Sequence, residues 1–140
     1  MILVIRISGM VNVSQRIEDA LYRLNLRRKY SAVLIHETPE NLKLLKILRN
    51  HVAYGPIDQN TLVELIEARA EPIKKETTIK AKETADQLSK KSLSDLGIKP
   101  FFRLHPPRGG IDSKKHFGSS SKGVLGSNKE KINDLVRRML

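Results

Sequence analysis

The chain has 140 residues and is strongly basic, with 26 Lys and Arg residues against 15 Asp and Glu, a net charge of +11 and a pI near 10.1. Such a charge points to a polyanionic partner, either nucleic acid or an acidic membrane surface. No cysteine is present, which excludes disulfides and thiolate metal sites and indicates a cytoplasmic protein. The apolar opening, residues 1–7, is too short for a signal peptide or a membrane span, and no run of about 18 apolar residues follows, so we expect no membrane contact.

The positive charge is unevenly distributed along the chain. Residues 1–70 contain 10 basic and 7 acidic side chains, a balance of +3, whereas residues 71–140 contain 16 and 8, a balance of +8. This asymmetry predicts a compact body that carries a basic extension.

The first half of the chain alternates between strand and helix patterns. Residues 2–7 and 31–36 are apolar and β-branched, which predicts two buried strands. A first helix is expected after Asn12 or Ser14 as a cap, and a second after Thr38-Pro39. The apolar positions of these helices repeat at helical spacing: Ile17, Ala20, Leu21 and Leu24, then Leu42, Leu45, Leu48 and Val52. Residues 54–57 break the pattern.

The second half is less regular. A short helix is expected from Asp58 to about Ala70, and the Lys-rich residues 73–91 are interpreted as a solvated helix or a mobile segment. Residues 100–105 are predicted as the third strand, since a residue before proline avoids the helical region. Residues 106–126 are rich in Gly, Ser and Lys and would be disordered alone, because they bury too little to offset their ordering entropy. A capping box at Ser127 and Glu130 predicts a final helix with Ile132, Leu135, Val136 and Met139 inward.

Motifs for catalysis are incomplete. Residues 118–123 superficially resemble a phosphate loop, but Val124 and Leu125 stand where Lys and Ser or Thr are required. No two histidines have the spacing of a zinc-binding helix, and no serine lies in a nucleophile elbow. We therefore expect no enzyme activity, no cofactor or metal, and no small-molecule substrate.

Three clusters of basic residues are more informative. Arg27-Arg28-Lys29 occupies a tight turn and is either a solubilising turn or a phosphate clamp. Arg103 and His105 share one face of the third strand, and the glycines that follow Arg108 would let backbone approach a phosphate. The third cluster interleaves charge with one ring that could stack on an unpaired base: Lys114, Lys115, His116, Phe117 and Lys122.

Four segments resemble one known family. Residues 20–30 (ALYRLNLRRKY), 37–40 (ETPE), 100–110 (PFFRLHPPRGG) and 131–139 (KINDLVRRM) are similar to the archaeal form of a universal large-subunit ribosomal protein, called thirty in bacteria and seven in eukaryotes. Asn25 stands where many members have glycine, a position at which Asn accepts left-handed backbone.

The resemblance implies an α+β fold: a β-α-β-α-β ferredoxin-like sandwich with a three-stranded antiparallel sheet, a helical insertion, and a basic C-terminal extension ending in a helix. The corresponding division is a core of residues 1–57 and 99–106, an insertion of 58–98, and an RNA-binding loop and helix of 107–140. It further implies a structural constituent of the large ribosomal subunit in the cytoplasm, with large-subunit rRNA and neighbouring ribosomal proteins as partners. The expected RNA-binding residues are Arg23, Arg27, Arg28, Lys29, Arg49, Arg103, His105, Arg108, Gly109, Gly110, Lys114, Lys115, His116, Phe117 and Lys122.

Two other functions remain open from sequence. One is an RNA-binding factor that acts off the ribosome, for example in rRNA maturation. The other is a small ferredoxin-like phosphatase, for which residues 9–12 offer no specific phosphate-loop pattern. Phosphate hydrolysis abolished by an arginine substitution would favour the phosphatase.

Overall fold

A computed structural model describes residues 1–74 and 78–140 and confirms the α+β class. The elements in chain order are β1 (Ile2–Arg6), α1 (Gln15–Arg23), β2 (Ser31–Ile35), α2 (Pro39–Leu48), β3 (Val52–Pro56), α3 (Gln59–Arg69), α4 (Ala81–Gln87), β4 (Phe102–Arg103), β5 (Asp112–His116), β6 (Gly123–Ser127) and α5 (Ile132–Met139). A single 3₁₀ turn, Lys129–Lys131, leads into α5.

Within the described residues the strands form one sheet of six, in the order β4-β2-β1-β3-β6-β5, so the expectation of a three-stranded sheet is wrong. The first three strands and β4 are antiparallel to their neighbours, as expected. In contrast, β6 runs parallel to β3, and β5 runs parallel to β6 with an irregularity between Asp112 and His116. The C-terminal extension therefore enlarges the sheet.

Strand β1 is central and buried on both faces, which explains why its first four residues, 2–5, are all apolar. Ile2 and Val4 belong to a hydrophobic cluster with α1 and α2 on one face. Leu3 and Ile5, which alternate with them, belong to a second cluster on the other face, formed with α3, α4 and α5. The sheet thus lies between two helical layers, and the segments 58–98 and 107–140 both contribute to the second cluster.

The helix boundaries test the predicted caps. Thr38 accepts a hydrogen bond from the backbone N–H of Asn41 at 3.3 Å with Pro39 at the first helical position, so this cap is confirmed. Ser14 precedes α1 but its side chain makes no capping bond. The capping box at Ser127 and Glu130 is wrong, because Ser127 is the last residue of β6 and pairs with β3.

Strand β3 was not predicted, because its Gly-Pro ending is typical of a breaker. The structure explains the glycine: a Cβ at Gly55 would clash with the carbonyl oxygen of Lys129. The absence of a side chain lets the turn before α5 pack directly on the strand. Pro56 is tolerated because it is the last residue of the strand.

The expectation of a disordered loop over residues 106–126 is also wrong. This segment contains β5 and the start of β6, and Val124 and Leu125 are buried in the second cluster. The local composition does not indicate that this segment is ordered, because the strand that pairs with β6 is β3, about 70 residues earlier in the sequence. The third strand predicted over 100–105 shortens to the two residues of β4.

The Lys-rich segment 73–91 contains α4, which is not fully solvated. Ala81, Ala85 and Leu88 are buried in the second cluster, while the charged side chains of the helix are exposed. Residues 75–77, which the expectation of a solvated helix or mobile segment also covered, lie outside the described residues.

Candidate nucleic-acid interface

Sheet topology brings most of the basic segments to one end of the sheet, here called the basic end. It is the end where β1 finishes, where β2 and β3 begin, and where β4 finishes. Strand β6 runs parallel to β3, and its last residues pair with the first residues of β3, so β6 and its neighbour β5 begin beyond this end. The basic end therefore carries the α1–β2 turn, Arg49, the residues after β4, and Lys122.

The α1–β2 turn, residues 24–30, is held in a defined conformation. Asn25 and Tyr30 have positive φ values of 60° and 64°, and the left-handed conformation expected of Asn25 is observed. The side chains of Arg27, Arg28 and Lys29 are exposed. The guanidinium of Arg27 lies 5.6 Å from the ring of Tyr22, and the ammonium of Lys29 lies 4.9 Å from the ring of Tyr30.

Arg6 anchors this turn from inside the protein. Its side chain is fully buried, and its guanidinium donates to the carbonyl oxygens of Leu26 at 2.7 Å and Arg27 at 3.1 Å. It also donates to the carbonyl oxygens of Ser8 and Gly9. Burial lowers the pKa of Arg6, and the charges of Glu18 and Tyr22 oppose that shift. The backbone carbonyl oxygens therefore stabilise the buried charge of Arg6, and its guanidinium holds the turn in position.

A cleft separates the α1–β2 turn from strand β4. Ser31 pairs with Arg103 in the sheet, which places the β4 side chains beside the turn. The guanidinium of Arg103 lies 5.8 Å from the ring of Phe101. The cleft is lined by Asn25, Arg27, Arg28, Ser31, Pro100, Phe101 and Arg103. Arg103 of the second predicted cluster therefore meets Arg27 and Arg28 of the first cluster in one cleft.

A second hollow lies on the other side of Arg103, where it meets His105 and the end of α3. Glu71 at its rim accepts a hydrogen bond from Lys99 at 2.6 Å. This bond is the main cause of the lowered pKa of Glu71; burial opposes the shift, and the charges of Lys99 and Arg103 add to it. The carboxylate is thus engaged by Lys99.

The loop that carries Arg108, Gly109 and Gly110 is held by the C-terminal helix. The Arg138 guanidinium donates to the carbonyl oxygens of Arg108 at 2.9 Å and Gly110 at 2.6 Å. The backbone N–H of Arg108 donates to the carbonyl of Arg138. Both glycines have positive φ and open space around them, so they are required for backbone conformation.

The third predicted cluster is spread around β5 and β6. Lys114, Lys115 and Lys122 line one open hollow beside Gly110. Lys115 lies 3.5 Å from Asp112, and Lys122 donates to the carbonyl of Gly109 at 3.3 Å. These lysines therefore lie next to the loop that carries Arg108, Gly109 and Gly110, hereafter the glycine loop.

Phe117 and His116 do not line that hollow. The Phe117 ring is half-buried, with the ammonium of Lys131 at 5.8 Å, in a separate hollow against α5. The His116 ring lies beside Gly126, where a Cβ would come within 3.2 Å of its Nδ1 and 3.9 Å of the carbonyl oxygen of Arg49. Arg23 is exposed in the last turn of α1, outside the cleft.

Three residues that sequence reasoning did not assign to the interface stand out: Arg6, Phe101 and Arg138. A positive charge at the end of an otherwise apolar strand was the available indication for Arg6. Phe101 and Arg138 lie in segments that resemble the family, and only the tertiary structure reveals their neighbours.

The candidate cations are largely free of carboxylate partners. Among the residues that the structure describes, the ion pair of Lys115 with Asp112 is the only one that involves a candidate residue. Within the same residues, no cluster of potential metal ligands is present, and no helix has the length and apolarity to cross a membrane.

Fold and charge together define the class: a small basic α+β protein with a cationic surface at one end of its sheet. Residues 2–52 match the family model described as ribosomal protein L30p/L7e. The large ribosomal subunit protein uL30 of Archaeoglobus fulgidus is 37% identical over 154 residues, which cover 99% of both chains. Those of Methanococcus maripaludis (strain DSM 14266) and Methanobrevibacter smithii are each 37% identical, covering 98% and 100% of this chain and 97% and 100% of their own. The chain belongs to the ribosomal protein L30p/L7e family.

Proposed function

We propose that the protein is a structural constituent of the large ribosomal subunit that binds large-subunit rRNA through its basic loops. The observation that carries this proposal is the convergence of cations from separate segments at one end of the sheet. Relatives that match over nearly the whole chain are named large ribosomal subunit protein uL30, which supports the same location in the cytoplasmic ribosome.

In this proposal, the guanidinium and ammonium groups contact phosphates and fix the orientation of the protein on the RNA. The shape of the folded RNA, with its unpaired nucleotides, supplies specificity. The buried Arg6 and the partly exposed Arg138 hold two cationic loops before RNA arrives, so less ordering entropy opposes binding. Such a role requires no catalytic group.

We further propose that the ferredoxin-like part is β1-α1-β2-α2-β3, with the core taken as residues 1–57 and 99–106. Residues 58–98 are then an insertion that covers the second face of the sheet, and 107–140 is the RNA-binding extension. Neighbouring ribosomal proteins are expected to contact surfaces outside the basic end.

The first test is sedimentation of the tagged protein from its native cells, followed by salt washes of the fractions. Stoichiometric retention on the large subunit through high salt is expected of a structural constituent. Recovery in light fractions, or on precursor particles alone, would instead favour a free RNA-binding or maturation factor.

A further inference from the structure

The cleft between the α1–β2 turn and β4 combines the three kinds of group that recognise a nucleotide. Arg27, Arg28 and Arg103 supply cations, and Phe101 with Pro100 supplies an apolar wall. Asn25 and Ser31 supply an amide and a hydroxyl at the same cleft. Guanidinium groups bind phosphate, aromatic rings stack on bases, and amides and hydroxyls read base edges.

The size of the cleft suits one nucleobase. Its volume is about 290 Å³, just below the roughly 300–1,000 Å³ typical of sites for larger ligands. The half-buried Phe101 packs against the cluster of the first sheet face, so its ring is fixed from behind. A ring that is already ordered loses little entropy when a base stacks on it.

The walls of the cleft are also preorganised. Arg6 fixes the backbone of the turn at Leu26 and Arg27, and the pairing of Ser31 with Arg103 fixes the opposite wall. The backbone N–H of Leu104 further donates to the carbonyl of Tyr30 at 3.0 Å. The distance between the two walls is therefore set by the fold itself.

We propose that this cleft holds a single unstacked nucleotide of the bound rRNA, with its base against Phe101 and its phosphate between Arg27 and Arg28. The proposal rests on the proposed rRNA-binding function and adds to it a site for one extruded base. Flexible loops and bulges of rRNA supply such bases, whereas a regular duplex does not.

The test compares Phe101→Leu with Phe101→Tyr in binding to purified large-subunit rRNA of the source organism. Leucine keeps an apolar side chain but cannot stack, and is expected to weaken binding about 5- to 100-fold. The salt dependence should not change, because no charge is removed. Tyrosine retains the ring and should bind within about twofold of the original protein, and unfolding midpoints establish that both variants are folded.

Chemical footprinting with a base-methylating reagent identifies the nucleotide. One unpaired base should be protected by the original protein and by Phe101→Tyr, and become reactive with Phe101→Leu. Tyr54→Leu, which alters a half-buried ring of the same hydrophobic cluster outside the cleft, should leave that protection intact. Unchanged affinity and protection with folded Phe101→Leu would overturn the nucleotide site while leaving rRNA binding in place. Failure of the original protein to bind rRNA would overturn the proposed function itself.

Discussion

At the residue scale, Arg6 shows how one buried charge organises a surface that it does not reach. Its guanidinium bonds four backbone carbonyl oxygens from two separate loops, those of Ser8, Gly9, Leu26 and Arg27. A planar group with five N–H donors can satisfy such a set, whereas an ammonium on a flexible stem cannot.

Replacement of Arg6 by Lys is therefore expected to lower the free energy of unfolding by about 2–3 kcal/mol, since hydrogen bonds to a buried charged group are lost. Urea unfolding at 25 °C measures this difference. The matched control is Arg23→Lys at an exposed position, where a change below about 0.5 kcal/mol is expected. Equal effects at the two positions would show that the Arg6 anchor does not contribute to stability.

His51 is a second residue coupled to this anchor. Burial and, to a lesser extent, the charge of Arg6 lower the pKa of His51, and its Nδ1 lies 2.9 Å from the hydroxyl of Ser8. The native state thus favours the neutral ring. Stability from this group is full above the unfolded pKa of about 6.5 and is lost as pH falls toward the lower native pKa.

Between pH 7.5 and 5.5 we expect the free energy of unfolding to decrease by an amount due to His51 of at most about 1.4 kcal/mol. His51→Gln should remove that part of the decrease, whereas His36→Gln, at an exposed position, should not. The lowered pKa of Glu71 affects stability only at more acidic pH. An identical pH dependence in His51→Gln and the original protein would contradict the assignment.

At the element scale, α5 acts on the glycine loop through its last turn. Arg138 bonds the carbonyls of Arg108 and Gly110, while the adjacent Arg137 faces outward to Glu64 at 3.2 Å. The two neighbouring arginines therefore have different roles: Arg138 positions the loop, and Arg137 forms an exposed ion pair.

Arg138→Leu is expected to weaken rRNA binding about tenfold. This factor corresponds to the free energy of about one charge-assisted hydrogen bond, which orders the loop in the original protein. The salt slope of binding should be nearly unchanged if Arg138 positions the loop without contacting phosphate. Arg137→Leu should bind as the original protein does. A slope reduced by about 0.7–0.9 in Arg138→Leu would instead make this residue a direct phosphate contact.

Prediction from sequence succeeded for elements whose pattern is local. The apolar strands β1 and β2, the cap at Thr38-Pro39, and the helix α3 follow from side chains close together in the chain. It failed where the stabilising contact is distant: β3 ends in Gly-Pro because Gly55 meets Lys129, and β6 exists because it pairs with β3.

The candidate site shows the same division. Exposed cations such as Arg27 and Arg28 could be assigned from composition and turn position alone. Their arrangement around a shared cleft with Phe101 could not, because it depends on the pairing of Ser31 with Arg103 across the sheet.

At the scale of the whole molecule, the sheet has two chemically different ends. The end opposite the basic end carries Glu37, Glu40 and Asp58, which follow β2 and β3. Two exposed lysines, Lys90 and Lys91, also lie toward that end. They follow α4, which is hydrogen-bonded to the start of α3, and Lys91 lines a cleft together with Met1 and His36. Lys90 and Lys91 therefore provide two positive charges away from the basic end.

We therefore expect Arg27→Ala with Arg28→Ala to weaken rRNA binding and to reduce its salt slope by about 1.5. Lys90→Ala with Lys91→Ala, which lowers the net charge equally, should leave both quantities unchanged. Filter binding at several salt concentrations gives the affinity and the slope together. Equal losses in the two double variants would mean that net charge alone determines binding.

The two edges of the sheet have a further consequence for the protein before it meets RNA. One edge is β4, only two residues long and flanked by Pro100 and Pro106, and the other is β5, which exposes Lys114 and Lys115. Short strands, prolines and lysines at an edge all oppose the addition of a strand from another molecule. Newly made copies at high concentration are thereby protected from edge-to-edge aggregation.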